Sequence, residues 1–210
     1  MLKFLFIRNK LLYLFLYKYK TTMKNLIILS LFLNSFVGIS QNLFTKDELL
    51  IATDGGYRWY KDIKIFLYGK YTKQDSLDVV DNVNKIKSLI SPINIYIVSN
   101  KDIANVVIYF NTDSEFISLF SWARGQVESN IGSTFLIPIK YNINKVYIHI
   151  DIIENAEFKS FSNTIRHEMF HMLGFSHYDD EKNSILDHDH YLTDKDIEMI
   201  KFLYSDKFKV

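Results

Sequence analysis

The chain has 210 residues, 48% of them hydrophobic and 23% charged, and it contains 7 Gly, 2 Pro and no Cys. This composition excludes a collagen-like or wholly disordered protein, a disulfide scaffold and a cysteine nucleophile, and the length suits one domain with a leader. Residues 1–40 contain six Lys or Arg and no acidic residue, so residues 41–210 carry 19 basic and 24 acidic residues. This mildly acidic body argues against a nucleic-acid partner, which would need a basic surface.

The beginning of the chain has the pattern of an export signal. A positively charged start at Met23 is followed by a mostly apolar run over residues 26–39, and the small residues Gly38 and Ser40 stand at its end. This order of charge, apolar core and small residues is typical of a secretory signal peptide. We expect cleavage before Gln41.

The domain boundaries follow from this leader. We expect a signal peptide over residues 23–40 and one domain over residues 41–210, while residues 1–22 form an N-terminal extension whose translation the sequence leaves open. The alternative is a membrane anchor, which needs about 20 uninterrupted apolar residues, and this run is shorter and interrupted. We therefore expect the protein to be secreted or periplasmic, with no stable membrane anchor once the signal is removed. We also expect it to be a monomer.

The body of the chain predicts an α+β fold. Branched and aromatic residues predict strands over 63–69, 93–98, 105–110, 134–139 and 145–151, and a less regular one around 125–129. Between the first two strands we predict a helix that Asp75 or Ser76 caps and Pro92 ends. Its apolar residues at helical spacing are Leu77, Val80, Val83, Ile86 and Ile90. This order of elements favours a mixed sheet with helices packed on it.

A further helix is predicted over residues 162–174, in the segment SNTIRHEMFHMLGFSH. Ser162 or Asn163 can cap this helix, and Gly174 can end it in the left-handed conformation.

The chemistry of the chain is concentrated at the end of this segment. His167 and His171 stand four residues apart, so a helix places both imidazoles on one face, with Glu168 beside them. A sharp turn at Gly174 can bring back His177 as a third ligand. Three histidines leave the fourth position of a tetrahedral zinc open, as catalysis requires. We therefore expect one catalytic zinc, with Glu168 as the general base for a zinc-activated water that hydrolyses peptide bonds.

The pattern HExxHxxGxxH from His167 to His177 matches the metzincin signature at every fixed position. Over residues 60–205 the chain resembles the matrixin branch of the metzincins and its bacterial relatives. This resemblance implies that His167, His171 and His177 bind zinc and that Glu168 is the catalytic base. It also implies a mixed five-stranded sheet with two long helices, a zinc cleft with substrate along an edge strand, and a small C-terminal subdomain that ends in a helix.

The C-terminal segment LTDKDIEMIKFLY is similar to the final helix of the matrixin domains. There Thr193 can cap the helix, with Asp196 as its partner in a capping box.

Two positions depart from the family pattern. Metzincins carry a methionine beneath the zinc, whereas the corresponding turn here, NSIL over residues 183–186, offers Leu186 as the structural floor. Leu and Met have similar volume and apolarity, so an apolar floor can survive the exchange. Tyr178, which follows the third histidine, matches no branch of the family, and the subfamily therefore stays open.

Secondary candidates surround this motif. Tyr191 is a possible transition-state stabiliser, although an aromatic residue at a helix entry usually packs. His149 lies on a predicted strand, opposite its apolar face, and a structural role is expected for it. The loop residues His188, Asp189 and His190 could line a substrate pocket, bind a second ion or simply be solvated.

The function predicted is that of a secreted zinc-dependent endopeptidase acting on a peptide or protein. Leu186 motivates an alternative, a catalytically silent binding module that keeps the metzincin fold. A purely structural zinc is a third reading, but such sites usually use four protein ligands. Calcium is a further candidate cofactor, for which Asp179, Asp180 and Asp187 offer oxygen ligands.

Overall fold

The computed structural model describes residues 43–158, 161–177 and 192–209, without the side chain of Phe158. The chain divides into two units, Met1–Asn42 and Leu43–Val210, and the fold described is that of the second. The predicted N-terminal extension, signal peptide and cleavage site therefore lie outside the described residues. No helix in the described part of the chain is both long and apolar enough to cross a bilayer.

Five strands form one sheet in the order β2-β1-β3-β5-β4. The strands are β1 (Ile63–Gly69), β2 (Ile95–Ile97), β3 (Val106–Asn111), β4 (Gly132–Ile139) and β5 (Asn142–Asp151). All neighbours run parallel except β4, which is antiparallel to β5 and pairs with no other described strand. The predicted α+β class and mixed five-stranded sheet are confirmed, and five of the six predicted strand positions are occupied by strands.

Helices cover both faces of this sheet. They are α1 (Lys46–Ala52), α2 (Lys73–Lys87), α3 (Asp113–Leu119), α4 (Arg124–Val127), α5 (Ile152–Phe158), α6 (Phe161–His171) and α7 (Asp194–Leu203). Four of them begin with a capping box, in which a threonine side chain and an acidic side chain three residues later bind each other's backbone N–H. The box predicted for Thr193 and Asp196 at the start of α7 is one of these and is confirmed.

The start and the buried face of α2 differ from the prediction. Thr72 is the cap, and Asp75 accepts the Thr72 backbone N–H as the third helical residue, so neither Asp75 nor Ser76 begins the helix. Leu77 and Val80 are exposed. The buried residues of α2 are Asp75, Val79, Asn82, Val83 and Ile86. Apolar residues occur on two sides of this helix, one with Leu77 and Val80 and one with Val79. Packing against the sheet buries the side with Val79.

Two further predictions of local structure are wrong. The strand expected around residues 125–129 is absent, because Arg124–Val127 forms the one-turn helix α4, in which Val127 alone is buried. The one buried side chain of this segment, Val127, reaches the core from a helical turn, so burial there does not require a strand. Neither Ser162 nor Asn163 caps α6, since the helix begins at Phe161 and both lie within its first turn.

Two hydrophobic clusters lie on opposite faces of the sheet. Successive residues of a strand point to opposite sides, so β3 sends Ile108 and Phe110 to the larger core and Val107 and Tyr109 to the smaller one. The larger core includes buried residues of α1, α2, α6 and α7, whereas the smaller one lies under α3 and α4. The helix that carries the motif, α6, is therefore fixed on the larger core.

The carboxyl end of α6 is held by side chains from distant parts of the chain. The indole Nε1–H of Trp59 donates to the carbonyl oxygen of Met172 at 2.8 Å, and the hydroxyl of Tyr204 donates to the carbonyl oxygen of Leu173 at 2.9 Å. Both donors are buried. Met172 and Leu173 directly follow the last residue of α6, so these two bonds fix the turn by which the chain leaves the helix.

Replacing Tyr204 by Phe keeps the ring and removes the hydroxyl. The buried carbonyl of Leu173 is then left without this donor, and we expect the free energy of unfolding to fall by about 1–3 kcal/mol. Urea denaturation measures this change. Tyr141→Phe, at an exposed ring, is the control and should change stability by less than about 0.5 kcal/mol. Equal effects of the two variants would contradict the role assigned to the hydroxyl.

Candidate metal centre

Helix α6 presents two imidazoles side by side. The Nε2 atoms of His167 and His171 lie 3.1 Å apart, and the ring centroids 4.7 Å apart. Two nitrogens bound to one tetrahedral zinc at about 2.0–2.1 Å would be separated by about 3.4 Å. One helical turn therefore sets these two side chains at the spacing that a shared zinc ion needs.

A turn brings His177 back to this pair. The φ angle of Gly174 is 100°, the left-handed conformation predicted for it. A Cβ atom at this position would also collide with the carbonyl oxygen of Tyr57. Beyond the turn, the Ser176 backbone N–H donates to the Ala52 carbonyl oxygen at 2.8 Å. The returning segment is thus fixed against the last residue of α1.

The three predicted ligands come together in space. The ring centroid of His177 lies 5.2 Å from that of His167 and 4.9 Å from that of His171. One ligand atom of each residue lies within 4.8 Å of those of the other two. His177 is exposed and the other two are half-buried. This set of three imidazoles offers nitrogen donors and is open on one side, which fits a zinc ion with a free position.

The electrostatic environment keeps His171 neutral. Burial lowers the pKa of His171 to about 4, although its hydrogen bond to Phe175 acts in the opposite direction. Its Nδ1 lies 2.7 Å from the Phe175 carbonyl oxygen. Since a carbonyl oxygen only accepts, Nδ1 carries the proton and Nε2 is left with a lone pair. That lone pair points towards His167, in the tautomer that binds metal.

Glu168 lies in an apolar environment beside the cluster. The residue is 4% exposed. Burial raises the pKa of Glu168 to about 7, and a hydrogen bond from Thr134 works against that shift. A carboxyl group whose pKa lies near neutrality can both take up and release a proton, as a general base in hydrolysis must.

Sequence reasoning missed the residues that line Glu168 from the sheet. Thr134 Oγ1 lies 2.6 Å from Glu168 Oε2. A Cβ atom on Gly132 would lie 2.5 Å from Thr164 Cγ2 and 2.9 Å from Glu168 Oε1, so a side chain there would displace the carboxyl group. These contacts are long-range, and the predicted strand begins only at Thr134, so no signal in the sequence linked Gly132 or Thr134 to Glu168.

A second polar cluster lies on the other face of the sheet. His149 is fully buried and points away from Ile148 and Ile150, as predicted. Donor atoms of Asp113, His149 and Asp151 lie within 4.8 Å of one another. Burial lowers the pKa of His149, while burial, followed by the charge of Asp151, raises the pKa of Asp113 to about 7.

Within this second cluster, the hydrogen bonds of Asp151 show a structural role for that residue. One carboxylate oxygen accepts the backbone N–H groups of Ile153 and Glu154 at 2.7 Å, and the other accepts that of Asp113 at 3.1 Å. Asp151 therefore caps α5 and ties the start of α3 to β5.

Several predicted residues lie in the segment between the described ranges 161–177 and 192–209. The candidates that lie outside the described residues are Leu186, Tyr178, Tyr191, Asp179, Asp180, Asp187, His188, Asp189 and His190. The predicted floor beneath the zinc, the transition-state stabiliser and the calcium ligands remain predictions.

Comparison with known proteins gives no match to a protein-family model and no similar sequence among curated proteins. The support for the site therefore comes from the motif and from the geometry of the chain itself.

Replacing Gly174 by Ala should weaken zinc binding. The left-handed conformation costs a residue with a Cβ about 1–2 kcal/mol, and the added methyl group must push the turn away from Tyr57. We expect at least about tenfold weaker zinc affinity, measured by competition with a chromophoric chelator. Gly125→Ala is the control, because a Cβ there meets no atom within 4 Å. Unchanged affinity in the Gly174 variant would contradict the role of the turn.

The raised pKa of Glu168 predicts a pH-dependent cost to stability. The folded chain holds the Glu168 proton more tightly than the unfolded chain, so stability is lost as pH rises from about 4.5 through 7. In metal-free protein, Glu168→Gln should raise the free energy of unfolding at pH 8 by on the order of 3 kcal/mol and change it little at pH 4. Urea denaturation at both pH values measures this. The exposed Glu157→Gln should change neither, and an equal gain at both pH values for Glu168→Gln would refute the assignment.

Proposed function

We propose that the chain is an exported zinc-dependent endopeptidase of the metzincin type. The observation that carries the proposal is the convergence of the imidazoles of His167, His171 and His177 beside the buried carboxyl group of Glu168. The complete HExxHxxGxxH signature supports the same family, and export rests on the signal pattern at residues 23–40.

Each residue of the site has a defined task in hydrolysis. A zinc ion bound there would polarise the scissile carbonyl and lower the pKa of water towards about 7. The three histidines would hold the ion, and the Phe175 carbonyl fixes the tautomer of His171. A carboxylate oxygen of Glu168 takes the proton of the attacking water and then gives it to the leaving amine.

The position of β4 favours an extended peptide as the substrate. This strand stands at one end of the sheet and pairs only with β5 among the described strands. Unpaired backbone groups along such an edge can bind a peptide as an additional strand. Gly132 and Thr134 of the same strand contact Glu168. A peptide added to this edge would therefore pass close to the catalytic base.

Substitution of the base tests this function. The mature chain from Gln41 should bind about one zinc per molecule and cleave a denatured-protein or peptide library, and a chelator should abolish cleavage. Glu168→Ala should lower kcat by about 10²–10⁴-fold while the zinc content is retained. His171→Ala should lose both zinc and activity, and Glu157→Ala should lose neither.

The remaining outcomes decide between the alternatives. Cleavage by Glu168→Ala at the wild-type rate would disprove the proposed mechanism. Stoichiometric zinc without hydrolysis of any library would instead favour a silent binding module. A wild-type chain that binds no zinc would contradict both.

A further inference from the structure

The carboxyl group of Glu168 lies in a niche between α6 and β4. Gly132 and Thr134 are alternate residues of β4 and face the helix, and Thr164 stands one turn before Glu168 on α6. The missing side chain at Gly132 leaves the space that Thr164 and Glu168 fill. Within this niche the structure gives the carboxyl group one hydrogen-bonding side chain, that of Thr134.

The hydroxyl group of Thr134 reaches two oxygens of the same residue. It lies 2.6 Å from Glu168 Oε2 and 3.0 Å from the Glu168 main-chain oxygen. A threonine hydroxyl has one hydrogen to donate and lone pairs with which it can accept. It can therefore donate to only one of the two oxygens at a time, and rotation about its C–O bond selects which.

We propose that Thr134 is a positioning residue that holds the Glu168 carboxyl group in one place throughout the catalytic cycle. The proposal rests on the function proposed above. When the carboxyl group is ionised, the hydroxyl donates its hydrogen to Oε2. When the other carboxyl oxygen has taken a proton from water, Oε2 is the carbonyl oxygen of the acid and still accepts the Thr134 hydroxyl hydrogen, so the new proton stays available for the leaving amine. Thr134 keeps its own proton in both states, and the Glu168 main-chain oxygen accepts the Met172 backbone N–H at 3.0 Å whether or not the hydroxyl donates to it.

This arrangement matters because a glutamate side chain has three rotatable bonds. Without the hydroxyl, the carboxyl group has no partner on β4 and can turn towards solvent or towards the histidines. A displacement of about 1 Å at a reacting group can cost a hundredfold in rate. A threonine that served only to tie β4 to α6 would affect stability and zinc content instead.

The test compares Thr134→Val, which keeps the shape without the hydroxyl, with Thr134→Ser, which keeps the hydroxyl. In the zinc-loaded mature chain we expect Thr134→Val to lower kcat by about 10–100-fold with KM within twofold of wild type. Thr134→Ser should recover kcat to within about threefold of wild type, and zinc content should be equal in all variants. Ser133→Ala is the matched control, because Ser133 lies on the same strand with its hydroxyl on the opposite face.

A second readout does not depend on catalysis. The infrared carboxyl band of Glu168 in ¹³C-glutamate-labelled, metal-free protein is identified by its loss in Glu168→Gln. We expect this band to shift in Thr134→Val and to stay in place in Thr134→Ser. If Thr134→Val does not fold, Thr134→Ala replaces it in both measurements.

The two readouts separate this inference from the proposed function. An unshifted band, or a wild-type kcat in Thr134→Val, would overturn the role of Thr134. A shifted band in a protein whose wild type cleaves no peptide would leave the hydroxyl contact established and remove the peptidase proposal.

Discussion

The fold of the site depends on the chain reversing direction after α6, at Gly174. The two outer imidazoles of the cluster, those of His167 and His177, are ten residues apart, and only a tight left-handed turn can bring them to one point. Hydrogen bonds from three parts of the chain fix this turn: the end of α1 at Ala52, the indole of Trp59 and the hydroxyl of Tyr204. The beginning and the end of the described chain therefore both support the loop that carries the third imidazole.

Burial gives the site its electrostatic character, and it does so with opposite effects on two neighbouring residues. It lowers the pKa of His171 and raises that of Glu168, so the imidazole stays neutral and the carboxyl group can exchange a proton near neutral pH. Ionising a buried carboxyl group costs folding stability. Glu168 is buried in spite of this cost. The sheet leaves room for its carboxyl group because Gly132 has no side chain. Perturbed groups of this kind are typical of functional sites.

The sequence predicted what depends on local periodicity and on short spacing. The alternating or branched residues of β1, β3 and β5 defined strands, and the spacing of His167, His171 and Gly174 defined one turn of helix followed by a reversal. The sequence-based prediction was wrong where tertiary packing decides the local structure. Packing determined which face of α2 is buried, and it placed Val127 in the helix α4 and not in a strand. The sequence could not predict the contact of Thr134 with Glu168, because only the pairing of β4 with β5 and the docking of α6 bring these residues together.

The most direct test of this account is the zinc X-ray absorption spectrum of the purified mature chain. The account predicts one zinc per molecule, coordinated by three imidazole nitrogens at about 2.0–2.1 Å and one further light atom that does not belong to a histidine. Replacing any one of the three histidines should remove one imidazole from the spectrum or remove the zinc altogether. A zinc bound by four protein ligands, or a spectrum unchanged when His177 is replaced, would contradict the central claim.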